Sequence, residues 1–347
     1  MFELLLVSEL ALIAIILVWA FEFVNGFHDS ANSIATIVAT RVLTPVKAVA
    51  FAATLNFCGI LIGVEVARTI MQGIIDSELI DSLEIPFLPL ILCAILGAII
   101  WDLITWWFGI PTSSSHALIG GLLGAGGAAA GVGVIVWSGT LKTGAFIIIS
   151  PIAGLIIGFL LVAVVINLMR KKKRTMANKW FRKLQLVSSG FYSLTHGAND
   201  AQKGVGILMM ILLADGVITQ TQFDGFSFWT APWVAITCYS FIALGTFFGG
   251  WRIVKTLAAR ITKLEPYQGF SAETGAASIL AATAVLGIPV STTHTISGSI
   301  MGVGAARRLS AVRWGVGRRI IFAWIVTIPA AATISGLLFL SYLHFFA

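Results

Sequence analysis

Long apolar runs interrupted by short charged clusters set the pattern of this chain. Residues 10–20 and 147–166 are almost continuously apolar and lack any alternation of period two. A helix needs roughly 20 such residues to cross a hydrocarbon core about 30 Å thick, whereas barrel strands need short alternating segments. The pattern predicts an all-α integral membrane protein.

The charged clusters alternate in sign. Basic residues gather at Arg41 and Lys47, over 170–183, at Arg252, Lys255, Arg260 and Lys263, and at Arg307, Arg308, Arg313, Arg318 and Arg319. Acids gather at Asp76, Glu78, Asp81 and Glu84, and at Asp215 and Asp224. Lys- and Arg-rich loops stay on the cytoplasmic side. The chain therefore threads inward from about residue 3 to Arg41, outward over 48–71 and inward over 87–108. It turns at Pro111, leaves over 112–128 and re-enters over 143–169. The second half repeats this upside down: 184–213 outward, 229–250 inward, 268–286 entering from the cytoplasm, a turn at Pro289, and 320–343 outward.

The expected architecture is two inverted-topology repeats, 1–169 and 184–347, joined by a basic cytoplasmic linker at 170–183. Each repeat carries broken helices and a re-entrant helical hairpin, the two hairpins entering from opposite faces, with about 12 membrane segments in all. Both termini are expected outside a cell (inner, cytoplasmic) membrane. Residues 3–40 exceed one straight span, so a break is expected near Asn25 and Gly26, freeing carbonyls as ligands.

Composition agrees: 58% of residues are hydrophobic and 11% charged, with a mean hydropathy of +0.97, against about 25% charged in soluble domains. A net charge of +7 would suggest nucleic acid in a soluble chain. Here its placement in loops reads as a topology signal, and no nucleic-acid partner is expected. Cys58, Cys93 and Cys238 lack CxxC spacing, so neither a zinc site nor a disulfide framework is indicated. The start lacks a basic n-region and carries Glu3 and Glu9, which reads as a retained helix rather than a signal peptide.

Two polar motifs recur within the apolar stretches. Gly109-Ile-Pro-Thr-Ser-Ser-Ser-His116 returns as Gly287-Ile-Pro-Val-Ser-Thr-Thr-His294. A proline turn followed by Thr112, Ser113, Ser114 and Ser115, or by Ser291, Thr292 and Thr293, is expected to open a half-helix. Its unpaired N–H groups and hydroxyls suit an oxyanion such as phosphate, sulfate or a carboxylate. The alternative is that these hydroxyls only cap and pack helices. The second pair is Gly26-Phe-His-Asp29-Ser-Ala-Asn32 against Gly197-Ala-Asn-Asp200-Ala-Gln-Lys203. Asp29 and Asp200, with Asn32 and Asn199, offer hard oxygens for a small cation or a proton. The alternative is internal pairing with Lys203, Arg41 or a histidine.

Glu273 is expected to complete a cation site. His116, His294, Gln202, Lys203 and Asn56 are expected around the two sites, and Glu22, Glu65 and Asp102 within the bilayer as internal pairs or interfacial residues. A Ser115–His116 hydrolase is disfavoured because adjacent helical residues do not face each other. An anion channel is disfavoured by carboxylates beside the anion path.

These motifs resemble the inorganic phosphate transporter (PiT) family: its GANDxxN signature at Gly197–Asp200 and, altered, at Gly26–Asn32, its Gly-Ile-Pro-x-Ser signature in both halves, and Glu-Thr-Gly-Ala-Ala at 273–277. The resemblance spans most of the chain. It implies phosphate uptake driven by a sodium or proton gradient, inverted repeats, and a homodimer, with no cofactor beyond the coupling ion and no enzymatic activity. Carried over by motif position, Ser113, Ser114, Ser291, Thr292 and Thr293 contact phosphate. Asp29, Asn32, Asn199 and Asp200 serve sodium. His28 and Lys203 depart from the signature, which normally carries Asn at both places. They resemble a short prokaryotic branch in which proton or metal-phosphate coupling is the alternative to sodium.

Overall fold

The computed structural model describes residues 7–346. Glu3 and the two chain ends, and with them the ends of both expected repeats, lie outside the described residues, as do the side chains of Glu78 and Asp81. The described residues form helices and connecting turns, with no strand among them: α1 (Glu9–Ala39), α2 (Pro45–Cys58), α3 (Glu65–Gly73), α4 (Ser77–Ser82), α5 (Phe87–Trp107), α6 (Ser114–Ala130), α7 (Trp137–Met169), α8 (Arg174–Ala214), α9 (Gln220–Asp224), α10 (Pro232–Phe248), α11 (Trp251–Ala259), α12 (Pro266–Val285), α13 (Thr292–Arg307) and α14 (Trp314–Phe346). Among the described residues, five helices are long and apolar enough to cross a membrane, or up to seven if each bent pair is one span.

Two expectations need correction. No break occurs near Asn25 and Gly26, because α1 runs unbroken through 31 residues, about 46 Å at 1.5 Å per residue. Gly26 serves close packing instead: a Cβ there would lie 2.0 Å from the Ile242 carbonyl oxygen of α10. The breaks fall elsewhere, between α2 and α3 (bent by 75°) and between α10 and α11 (bent by 68°). The basic stretch 170–183 is also less of a linker than expected. Only a short turn separates α7 from α8, and Arg174 onward already belongs to the 41-residue α8.

The helices that carry the Asp motifs, α1 and α8, run antiparallel. At one end Ser8 donates its N–H to Asp215 at the close of α8 (2.8 Å). At the other, Thr40 donates to Gln185 (2.8 Å) and Arg182 donates to the Arg41 carbonyl (2.8 Å). Basic groups thus gather at one end of the pair and acids at the other.

The two halves are interlocked. α7 packs along α13, and α14 packs along α6. Both seams are lined by small residues four apart, which let backbones approach closely where lipid supplies no hydrophobic drive. A Cβ on Gly298 or Gly302 would lie 2.2 or 2.1 Å from the carbonyl oxygens of Pro151 or Leu155. One on Gly120 or Gly124 would lie 2.6 or 2.1 Å from those of Ile328 or Ala332. The outward faces of α7 and α14 expose Ile148, Ile152, Ile156, Phe322 and Ile325, as a lipid-facing surface requires.

These contacts predict that Gly298→Ala forces α7 and α13 apart and destabilises the protein by about 1–3 kcal/mol, a typical overpacking cost. Gly127, where a Cβ would meet nothing within 4 Å, should accept Ala with no loss. Thermal unfolding of both variants in detergent checks the contrast.

Candidate functional site

The two hydroxyl motifs are built alike. α5 and α12 each end in a glycine of left-handed φ, Gly109 (64°) and Gly287 (62°). Glycine alone takes this conformation without strain. The Ile110 and Ile288 N–H groups return to the carbonyls of Thr105 (2.9 Å) and Thr283 (2.9 Å), the bond pattern of a Schellman cap. Ser113 and Ser291 then act as N-caps, accepting from the N–H of His116 (3.4 Å) and of His294 (3.1 Å). The capping alternative therefore describes these two serines. It does not describe Ser114, Ser115, Thr292 and Thr293, whose hydroxyls do not cap these helix starts.

A bent helix from the opposite half braces each turn. Thr256 of α11 donates to the Gly109 carbonyl (2.8 Å), and Thr69 of α3 donates to the Gly287 carbonyl (2.6 Å). The starts of α6 and α13 meet. The rings of His116 and His294 contact edge-to-face at 4.6 Å, and Ser115 donates to the Val290 carbonyl (3.4 Å). Ser115 does not pair with His116, which removes the hydrolase geometry. Two helix N-termini, each carrying partial positive charge, thus converge in one buried place.

α1 and α8 bring the carboxylates there. Thr292 donates to Asp200 Oδ2 (2.9 Å) with Asp29 Oδ2 3.4 Å from the same hydroxyl, and Thr293 donates to Asp29 Oδ2 (3.4 Å). Asn32 donates to Thr293 (2.9 Å) and Thr292 (3.3 Å). Asp29, His196 and Asp200 each place a ligand atom within 4.8 Å of the others, a set able to hold a cation. Lys203, expected in the surroundings, is at the centre: its ammonium donates to Asp200 Oδ1 and to Ser115 Oγ, and lies 3.5 Å from the Val290 carbonyl oxygen.

The histidines take a larger part than the sequence suggests. His28 Nδ1 lies 2.7 Å from Asp29, and its Nε2 reaches Thr105 (3.2 Å) and Thr112 (3.3 Å). Thr112 is therefore anchored to this network through His28 and Thr105. His196 Nε2 lies 3.2 Å from Asp200, and its Nδ1 lies 3.2 Å from Asn56. Its position one helical turn before Asp200 was the available signal.

Other expected residues fall elsewhere. Glu273 does not join Asp29 and Asp200. It accepts from Thr36 (2.6 Å), Gln185 (3.0 Å) and Ser188 (2.5 Å), two turns along α1 toward its basic end, or about 10 Å. Gln202 faces away and caps α3, its Oε1 accepting from Val66 (2.8 Å) and Ala67 (3.1 Å). Asn199 ties α8 to α12 by donating to the Leu280 carbonyl (2.9 Å), while its Oδ1 is buried without a partner. Asn56 reaches across to Thr246 (2.8 Å). Glu22 is buried and accepts from the Gly204 N–H (2.9 Å). Asp102 and the Ser114 hydroxyl are buried near each other, short of a well-formed hydrogen bond. Poorly satisfied buried polar atoms are costly and few in native proteins. Glu65 is half-exposed and pairs with Arg68 (2.9 Å).

Residues 25–335 match the Phosphate transporter family. A "Probable low-affinity inorganic phosphate transporter" of Rhizobium meliloti (strain 1021) is 53% identical over 91% of this chain and 92% of its own length. One of the same name in Bacillus subtilis (strain 168) is 42% identical over 94% of this chain and 96% of its own length. A solved structure, "The sodium-dependent phosphate transporter", superposes with a TM-score of 0.86 at 26% identity, covering 97% of this chain and 100% of that one. These relatives are named as carriers of a solute and not as enzymes, and this chain belongs to the phosphate transporter family.

Proposed function

We propose that the protein is a secondary active transporter that imports inorganic phosphate together with sodium, by alternating access of two inverted-topology repeats. One observation carries this reading: two hydroxyl-lined helix starts face each other beside the carboxylates of α1 and α8, all within a buried cluster. Ser114, Ser115, Thr292 and Thr293 with their N–H groups grip the phosphate oxygens. Asp29, Asn32 and the free carbonyl of Asn199 supply oxygens to sodium near Asp200, and Glu273 with Thr36, Gln185 and Ser188 offers a further place for a cation.

The inverted repeat is supported by the antiparallel run of α1 and α8, which bear equivalent motifs, and by the matched exchange of α7 onto α13 and α14 onto α6. Counting the half-helices of each bent pair and hairpin gives about 12 membrane segments in an inner-membrane protein. The basic ends lie in the cytoplasm, the termini lie outside, and two copies form a homodimer. Sodium is supported by the solved relative's name.

Electrostatics explains the coupling. Inward movement of one negative charge against 100 mV costs about 2.3 kcal/mol. A cation bound beside Asp29 cancels that cost and strengthens the anion site, and the two affinities must favour each other equally.

Radiolabelled phosphate uptake into proteoliposomes should rise with an inward sodium gradient; uptake following an imposed pH gradient alone transfers the coupling to protons, and uptake indifferent to both gradients indicates a channel. Asp29→Asn should abolish gradient-driven uptake in a protein that still purifies as a single species. Thr292→Val should weaken phosphate binding at least about tenfold, because a hydrogen bond to a charged group contributes roughly 1.5–3 kcal/mol; calorimetry of the purified variant reads the loss.

A further inference from the structure

The two halves fill equivalent places differently. Asn32 follows Asp29 by three residues, and Lys203 follows Asp200 by three. Each side chain reaches the hydroxyl motif of the other half: Asn32 contacts Thr293, and Lys203 contacts Ser115, the residue at the same motif position. One place therefore holds a neutral amide and its counterpart an ammonium.

The hydrogen-bond partners of that ammonium are all oxygens. They are a carboxylate oxygen of Asp200, the hydroxyl of Ser115 and, at 3.5 Å, the backbone carbonyl of Val290 in the turn before α13. A mix of carboxylate, hydroxyl and main-chain carbonyl is the donor set that hard cations take. Lys203 is 1% exposed, as is its partner Asp200, so solvent does not share the charge. On the other side Asp29 forms no ion pair with a Lys or Arg among the described residues; it meets His28 and the hydroxyls of Thr292 and Thr293, with a ligand atom of His196 and of Asp200 within 4.8 Å.

We propose that the Lys203 ammonium is a tethered cation. It occupies the place beside Asp200 that a mobile ion would otherwise fill, and so sets the number of coupling cations at this centre to one, held on the Asp29 side. This rests on the cation-coupled reading above and assigns its stoichiometry. Anion binding then needs one fewer free cation, because half of the compensating charge never leaves the protein.

The test compares wild type with Lys203→Asn, which restores the amide found at the equivalent place in the first half. Inorganic phosphate binding to the purified proteins is measured by calorimetry while NaCl replaces choline chloride at constant ionic strength. Below saturation, each tenfold rise in NaCl should strengthen phosphate binding about tenfold more in the variant than in wild type, the signature of one added linked ion. In proteoliposomes the variant should move one more positive charge per phosphate. A wild type that ignores NaCl, with sodium dependence appearing only in the variant, also upholds the tethered cation while removing sodium from the wild-type cycle. A monodisperse variant with the wild-type sodium dependence overturns the proposal. So does one that binds no phosphate at any NaCl concentration, since the ammonium would then be an anion ligand. If the asparagine variant aggregates, Lys203→Gln, with a longer neutral stem, takes the same measurement. Wild type that binds no phosphate under any condition counts against the transport reading itself, independently of Lys203.

Discussion

Two carboxylates, Asp29 and Asp200, sit where almost no water reaches, and the arrangement around them follows from compensating that charge. An uncompensated buried ion costs several kcal/mol, and removing one member of a buried pair typically costs about 3–5 kcal/mol. The protein answers with imidazoles, hydroxyls, one ammonium and two helix starts. The same donors that make the acids tolerable also make the place attractive to an oxyanion. Affinity for substrate and tolerance of buried charge are thus one problem with a shared solution.

Such convergence requires helix backbones to come closer than ordinary side chains permit. Gly26 against Ile242, Gly197 against Asn56 and Gly245 against Phe23 remove side-chain bulk where α1, α2, α8 and α10 approach one another. The bent helices then hold the motif turns by hydrogen bonds from Thr69 and Thr256, so neither half completes its own hairpin alone.

The all-helical membrane class, the paired hydroxyl motifs and Asp29 and Asp200 as their intramembrane companions were legible in the sequence, because long apolar runs and repeated intramembrane polar residues admit few alternatives. The helix breaks were not. Residues 3–40 look too long for one span, but length alone does not distinguish a broken helix from a long continuous one, and Gly26 serves close packing. Glu273 and Gln202 stand close to the motifs in chain order only. Their actual partners, Ser188 and the N–H groups of α3, lie far off in sequence or on another helix and follow no local pattern. His28 beside Asp29 and His196 one turn before Asp200 were signals in the sequence, but their further partners Thr105, Thr112 and Asn56 are neighbours in space only.

The interlock of α7 with α13 and of α14 with α6 also bears on biogenesis. Chains leave the ribosome from the amino end, and domains generally fold in that order. Here α6 gains its packing along α14 only once α14 has been inserted, and α7 waits for α13. Early segments must therefore sit in the bilayer as loosely joined hairpins, with polar threonines and serines shielded by provisional neighbours.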